Sequence, residues 1–469
     1  MNNAIDILNR MFNARSIAII GASSEPGKVG YSIVKNIIDG GFKGRIYPVN
    51  PARAGEELFG YKYYGNVGEI PESIDTAIIA VPARLVNEVI IELGRKEVPT
   101  AVIITSGYSE IGNVELQQQL IETAKKARVR ILGPNIFGYY YTYNDLCATF
   151  CTPYTKRGGI ALICQSGGVG MAAIGFTRSR GIGVSAIVGL GNKVDIDEDD
   201  LLEFFAQDPN TKVIAIHMED VKDGLAFVKA ARKVSKNKPV IAFKAGRTPL
   251  GRRAAASHTA ALAGADEIFE AAFKQSGVIR ARTLDEFLDW ARALYMLPPP
   301  EGENILIHTS AGGLGVIIAD ALYDYGLKAM EIPIDLEQAL RKYIPPFGST
   351  KNPVDVTGSS TPEVQAETAK IAIRDPRVHA IIFGYWHTVI TPPRVFARVI
   401  AEAVEESRKE GLLKPIVASL SGDIEVEEAA RYLEDRGIPC YLYAPEKAVA
   451  ALAALYKWAK YAGKLRNLS

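Results

Sequence analysis

The strongest constraint on this chain is a rhythm: short aliphatic and β-branched runs alternate with amphipathic stretches of helical period. The runs SIAIIGAS (16–23), RIYPVNP (45–51), TAIIAVPA (76–83), AVIITSG (101–107) and VRILGPN (129–135) set it. Such runs are too continuously apolar to leave one face in water, so each reads as a strand covered on both sides, and the alternation implies βαβ units on a parallel sheet. The rhythm restarts after GGIALICQSGG (158–168) and again after ENILIHTSAGG (303–313). Between these last two blocks, Pro298, Pro299 and Pro300 cannot continue a helix and mark a linker.

The second and third blocks resemble each other. Each opens with a strand and a glycine-rich turn, QSGGVG (165–170) and SAGGLG (310–315). Each then carries a DP turn before an apolar strand, DPNTKVIAIHMED (208–220) and DPRVHAIIFGYW (375–386), followed by KPVIAFKAG (238–246) or KPIVASLSG (414–422). The 469 residues, 48% hydrophobic, suffice for three cores. The expected fold class is α/β, with a Rossmann-like domain over 1–145, a flavodoxin-like parallel-sheet domain over 146–297, a linker over 298–303 and a second flavodoxin-like domain over 304–469.

Lys and Arg total 54 against 53 Asp and Glu, so the net charge of +1 gives no electrostatic reason to expect a nucleic-acid or membrane partner. An anionic ligand must then be held by local geometry. The opening MNNAIDILNRMF lacks the cationic and apolar regions of a signal peptide, and no run approaches ~18 apolar residues, so a soluble cytoplasmic protein is expected. Cys147, Cys151, Cys164 and Cys440 are too few and too scattered for a disulfide framework or a zinc site, and Cys147 and Cys151 read as buried apolar groups. The acidic run Asp195-Ile196-Asp197-Glu198-Asp199-Asp200 begins like a calcium loop, but Asp200 and Ala206 stand where that loop needs Gly and Glu. It reads instead as a helix cap, and no metal site is expected.

Local geometry for an anion is present twice. Gly21-Ala22-Ser23-Ser24 ends the first strand and Gly27-Lys28-Val29-Gly30 opens the next helix, which presents backbone amides and a positive helix end. Ser23 replaces the second glycine of a dinucleotide fingerprint, and Val49-Asn50-Pro51 lacks the acid that would hold a ribose, which argues against NAD. A Walker A loop is excluded by a spacing one residue too long and by Val29 where Ser or Thr should stand. The second candidate is Gln165-Ser166-Gly167-Gly168, between a strand and a helix. Of the five histidines, His217 and His379 lie in or beside apolar strands and read as structural. His258 lies in GRTPLGRRAAASHTAALAG (246–264), read as a loop whose small residues let another group approach.

Gly21-Ala22-Ser23 with Lys28, then YPVNP (47–51), AVPA (80–83), TSGYSEIG (105–112) and GPNIFG (133–138), resembles the CoA-binding domain of the succinyl-CoA synthetase and ADP-forming acetyl-CoA synthetase superfamily. The resemblance implies that Gly21, Ala22, Ser23, Asn50, Val81, Pro82, Ser106, Gly107 and Asn135 line a CoA site and that Lys28 neutralises a phosphate. Ala52 and Arg53 depart from the lysine that follows the second strand in succinyl-CoA synthetases. Ser257-His258-Thr259 with Leu262-Ala263-Gly264 resembles the phosphohistidine segment of the ADP-forming branch. An imidazole is a competent nucleophile toward an acyl phosphate when one ring nitrogen is deprotonated and the other anchored to a carboxylate. The resemblance gives that orienting role to Glu219, the phosphate cradle to Gln165, Ser166, Gly167 and Gly168, and a second cradle to the third module near Gly384-Tyr385-Trp386-His387-Thr388.

It further implies the α subunit of an ADP-forming acyl-CoA synthetase, which reversibly converts acyl-CoA, ADP and phosphate to carboxylic acid, ATP and CoA. CoA or acyl-CoA and phosphate would be substrates here, with Mg-ADP/ATP on a separate ATP-grasp β subunit in an α2β2 heterotetramer. Met171, where succinyl-CoA synthetases have a tyrosine, and the small residues beside it favour acetate or a similar small apolar acid. Alternatives of other classes are a CoA-binding regulatory or acyltransferase-associated subunit without phosphohistidine chemistry, and an NAD(P)-dependent oxidoreductase.

Overall fold

The computed structural model describes residues 4–152, 156–259 and 265–465, with 256–259 described by backbone alone. The chain divides into two compact units, Met1–Phe287 and Leu288–Ser469.

The first unit holds two sheets. Sheet one is built from β1 (Ser16–Ile20), β2 (Arg45–Val49), β5 (Thr76–Ile79), β6 (Thr100–Ile103) and β7 (Arg130–Leu132), with a small ribbon of β3 (Glu57–Leu58) and β4 (Tyr61–Lys62) beside it. Its order is β2-β1-β5-β6-β7, all parallel, with Ile17 opposite Ile46 on one side and Thr76 on the other. Every residue of β1, β5 and β6 is buried, as expected of runs with no polar alternation. Sheet two comprises β8 (Gly138–Tyr141), β9 (Leu146–Thr149), β10 (Lys156–Cys164), β11 (Gly183–Gly189), β12 (Val213–Met218), β13 (Val240–Lys244) and β14 (Ile279–Ala281), in the order β14-β13-β12-β10-β11-β8-β9. Its first five strands in that order are parallel, while β8 and β9 form an antiparallel hairpin on β11.

The domain division expected after residue 145 falls inside that hairpin, whose strands both belong to sheet two. The segment 138–149 forms this hairpin, with Gly138 opposite Thr149. Which sheet edge it joins depends on Ala186–Val188 of β11, remote in the chain.

Both sheets wind alike: the strand that starts each parallel set neighbours both the second and the third. Where winding reverses, the loops leaving the carboxyl ends part and leave a crevice, between β1 and β5 in one sheet and between β10 and β12 in the other. The sheets share a hydrophobic core in which Ile17, Ile33 and Ile78 join Ile163, Val188 and Phe205. Phe12 stacks on Phe204 with centroids 4.6 Å apart and meets Tyr139 edge-on at 5.5 Å. The buried Asn36 amide donates to the Thr149 and Cys151 carbonyls, both at 2.8 Å. All four cysteines are buried free thiols, and burial pushes Cys147 and Cys151 up to about 11.

In the acidic run, Asp197 caps the helix Glu198–Gln207 by accepting from the Glu198 amide, and Asp195 and Asp200 bind Arg130 at 2.9 and 2.7 Å. Asp197 alone of the three acts as the helix cap, while Asp195 and Asp200 pair with the arginine of β7.

The second unit holds β15 (Ile305–Thr309), β16 (Val354–Asp355), β17 (Ala380–Trp386), β18 (Ile416–Ser421) and β19 (Cys440–Leu442), ordered β16-β15-β17-β18-β19 and all parallel. This repeats the winding of β11-β10-β12-β13-β14, so the sequence repeat is also a topological one. The division at residue 287 runs through the helix Leu284–Met296, ahead of the proline-rich stretch, because Arg292 is buried against Glu434 and the Cys440 carbonyl. His308 is buried and pushed down to about 4, with Nε2 2.8 Å from Thr368 Oγ1. His379 accepts from the Asn304 amide at 3.1 Å, and His387 from the Asp423 amide at 3.5 Å. Among the described residues, no helix is long and apolar enough to cross a membrane.

Candidate active site

The turn that leaves β1 owes its shape to glycine. Gly21 has φ +90°, and a Cβ on it would lie 2.6 Å from the Ala80 carbonyl oxygen; a Cβ on Gly30 would lie 2.0 Å from the Gly21 oxygen. The helix Val29–Asp39 therefore packs its first turn directly on the end of β1. Ala22 is buried, and Ser23 Oγ accepts from the Glu25 amide at 3.1 Å. Lys28 is exposed at the helix N-cap. Asn50 donates to the Ala22 carbonyl at 2.9 Å and accepts from the Ala52 amide at 3.1 Å, which ties the end of β2 to the end of β1.

Pro82 caps the helix Ala83–Arg95, and Thr105 Oγ1 donates to the Val81 carbonyl at 2.7 Å. Gly107 has φ +116°, and its amide and that of Tyr108 donate to Glu110. Burial would raise the Glu110 carboxyl, but bonds from Asn192 and these amides hold it below its ordinary value. Asn135 adopts the left-handed conformation at φ 62°, donates its amide to the Thr105 carbonyl at 2.9 Å and reaches Asn192 Oδ1 at 3.3 Å.

On sheet two, β10 delivers Gln165 and Ser166 to the N-terminus of the helix Gly167–Ser179, where no side chain caps the first turn. A Cβ at Gly167 would meet nothing within 4 Å, and one at Gly168 only Ser166 Oγ at 3.8 Å, so packing does not demand glycine here. The two glycines leave the uncapped first-turn amides open to close approach. Gly170 is different: a Cβ there would lie 2.3 Å from the Phe137 ring.

Glu219 follows β12 and is only 6% exposed; its amide donates to Gln165 Oε1 at 2.7 Å. Gln165 Nε2 donates to Asp220 at 2.6 Å, and the Ser166 amide lies 3.4 Å from His217 Nδ1. Burial, then Lys244 and Lys193, push His217 down to about 4, so its neutral ring can accept that bond. The structural role expected for His217 is thus exercised against the Ser166 amide, at the start of the helix Gly167–Ser179.

One cavity of about 640 Å³ joins the two sets of strand ends. It is lined by Val81, Pro82, Ser106 and Asn135 from the first module, and by Gln165, Ser166, Gly167 and Gly168 from the second. Gly21, Ala22, Ser23, Lys28, Asn50 and Gly107 are not among its lining residues, although Val29, next to Lys28, is. Phe150 and Met171 complete an apolar wall. No lining side chain carries a charge, so an anion bound there would rely on backbone amides and helix ends.

The stretch containing His258 departs from expectation. Pro249–Thr259 is helical rather than a loop: Thr248 Oγ1 accepts from the Gly251 amide at 3.1 Å, proline takes the first helical position, and the alanines and arginines that follow favour helix. The His258 side chain and residues 260–264 lie outside the described residues.

Sequence reasoning missed Phe150, a lone aromatic without periodic signal, and Lys193, which is 1% exposed between Glu198 and Asp220. A charged residue beside an acidic run looks solvated until its distant partners are known.

Residues 15–141 match the family model of a CoA binding domain, 157–294 that of a succinyl-CoA ligase like flavodoxin domain, and 305–466 that of a Ligase-CoA domain. The chain is 47% identical over 461 residues to the acetate–CoA ligase (ADP-forming) I subunit alpha of Pyrococcus furiosus, covering 97% of this chain and 99% of that one. It is 42% identical to the acetate–CoA ligase (ADP-forming) of Methanocaldococcus jannaschii, spanning 95% of this chain and 62% of that longer protein. An acetyl-coenzyme A synthetase 1 of Ca. Korarchaeum cryptofilum, solved with phosphate and ADP, superposes with a TM-score of 0.94 at 42% identity, covering 98% of this chain and 99% of that one.

Proposed function

Because this chain belongs to the family of ADP-forming acetate–CoA ligase α subunits, we propose that its cavity is where a thioester and inorganic phosphate meet. The protein is thus an acid–thiol ligase of the ADP-forming type. The reading of the site is carried by one observation: the Val81–Pro82 and Ser106 turns of the CoA-binding domain share a cavity with the uncapped Gly167–Gly168 turn.

In the acyl-CoA-consuming direction, a phosphate oxygen bonds to the thioester carbonyl carbon, the C–S bond breaks, and the thiolate leaves as CoA and takes up a proton. A ring nitrogen of His258 then bonds to phosphorus of the acyl phosphate, and the O–P bond breaks to release carboxylate. Glu219, buried beside the cradle, orients the imidazole and stabilises its charge; Gln165, Ser166, Gly167 and Gly168 hold the phosphoryl oxygens. The phosphoryl group passes to ADP on a separate ATP-grasp β subunit, which also supplies magnesium. The assembly is α2β2 and cytoplasmic, and the acid is acetate or another small apolar monocarboxylate, in keeping with the uncharged wall.

The test uses the two-chain enzyme with acetyl-CoA, phosphate and Mg-ADP. His258→Ala abolishes ATP synthesis while CoA affinity stays within about threefold, since catalysis here is positioning and transfer rather than CoA recognition. Turnover at the wild-type rate in that variant excludes His258 as the nucleophile.

A further inference from the structure

Lys193 is among the largest fully buried side chains, with 1% of its side chain exposed. Its ammonium has three donors and reaches three acceptors: Glu198 Oε1 at 2.8 Å, Asp220 Oδ1 at 2.9 Å and the Asp220 carbonyl at 3.0 Å. Its backbone belongs to another part of the site. The amides of Asn192 and Val194, on either side, donate to the Pro134 and Gly133 carbonyls at 3.0 Å, immediately before Asn135 on the cavity wall. Lys193 itself sits at φ 49°, an uncommon conformation for a residue with a Cβ, which aims the side chain from that wall toward the end of β12.

From Asp220 the connection continues. Its carboxylate accepts from Gln165 Nε2 at 2.6 Å, and Gln165 Oε1 accepts the amides of Glu219 and Asp220 at 2.7 and 3.3 Å. Burial would raise the Asp220 carboxyl, but Lys193 and Gln165 hold it below its ordinary value. Glu198, fully buried, has no partner for Oε2 among the described residues. Burying an ion pair in this way contributes little net stability. It does fix geometry, because each partner is costly to leave unpaired.

We propose that Lys193 is a positioning residue that locks the wall at 133–135 to the 219–220 turn, and so sets Glu219 and the Gln165 cradle for phosphoryl transfer. This rests on the proposed roles of Glu219 and residues 165–168. Lys193 acts through Asp220 and Gln165 and touches no reacting atom.

The test compares wild type, Lys193→Met and the double variant Lys193→Met/Glu198→Gln in the complete two-chain enzyme with acetyl-CoA, phosphate and magnesium. Readouts are the melting temperature, the KM for acetyl-CoA, and the single-turnover rate of phosphate incorporation at position 258. Lys193→Met melts lower, because the buried Glu198 and the partly buried Asp220 lose their cation; removing the buried carboxylate in the double variant restores much of the melting temperature. The tie to Asp220 stays broken in both, so the phosphorylation rate remains reduced by about 100-fold, the scale set by misplacing a catalytic group by an ångström. KM for acetyl-CoA moves less than about threefold. Recovery of both melting temperature and rate in the double variant overturns the positioning role, because a purely structural lysine predicts that the two return together. Absence of label at 258 in the wild type overturns the proposed function itself, and this inference with it.

Discussion

Gly21 and Gly27 lie six residues apart in one turn, have nearly equal φ of +90° and +88°, and differ only in what a side chain would meet. At Gly27 a Cβ meets nothing within 4 Å; at Gly21 it lies 2.6 Å from the Ala80 oxygen and 2.8 Å from its carbonyl carbon. Gly27→Ala therefore costs only backbone strain, about 1–2 kcal/mol. Gly21→Ala costs the same strain plus an overpacking cost of about 1–3 kcal/mol, because the obstacle is backbone rather than a flexible side chain. In a unit of this size, about 2–3 °C is expected per kcal/mol, so Gly27→Ala lowers the melting temperature by about 2–6 °C and Gly21→Ala by about 4–15 °C. The clash relaxes by moving the Ala80 carbonyl, which precedes the cavity-lining Val81 and Pro82. CoA affinity should thus fall at least tenfold in Gly21→Ala and less than threefold in Gly27→Ala, an energy difference of about 0.7 kcal/mol or more. Calorimetric melting and CoA titration measure both quantities. Equal melting shifts and equal CoA affinities in the two variants would refute the reasoning, since only strain would then be at work.

Further expectations come from buried charge. His308 titrates near 4 when folded against an ordinary value of 6.5, so the unfolded chain binds the proton more readily. Its contribution is whole above pH 6.5 and is lost as pH falls from 6.5 toward 4, at about 1.4 kcal/mol per pH unit. Unfolding of the His308→Phe variant across that window should be flatter by that slope; an unchanged slope removes His308 as its source. Arg292, 2% exposed, pairs with Glu434 and lies 4.8 Å over the Tyr441 ring. Arg292→Met should destabilise by about 3–5 kcal/mol, and adding Glu434→Gln should return part of that loss in denaturant unfolding. Additive losses in the double variant would show that the pair is not coupled.

Much of the architecture was legible locally. Continuous apolar runs announced parallel strands, glycines after β1 and β10 announced tight strand-to-helix turns, and the repeated strand–turn signals announced two modules that wind alike. The edge position of the 138–149 hairpin was not legible, since pairing with β11 is a contact between distant segments. Nor was the helical state of 249–259, where glycines and small residues suggested a loop but a threonine cap, a proline at the first helical position and helix-forming residues prevailed.

The sequence by itself determined which residues could bind an anion, because that ability lies in short local patterns: a strand, a glycine turn, a helix N-terminus. Only the tertiary structure decided which of those turns share a cavity and which charges are spent inside the protein. Gly168 and Ser106 come to line one cavity through packing of two sheets, and Lys193 is recognisable as a buried tie only once Asp220 and Glu198 are brought around it. Proximity between distant segments is the outcome of burying a shared apolar core, and no local pattern records it.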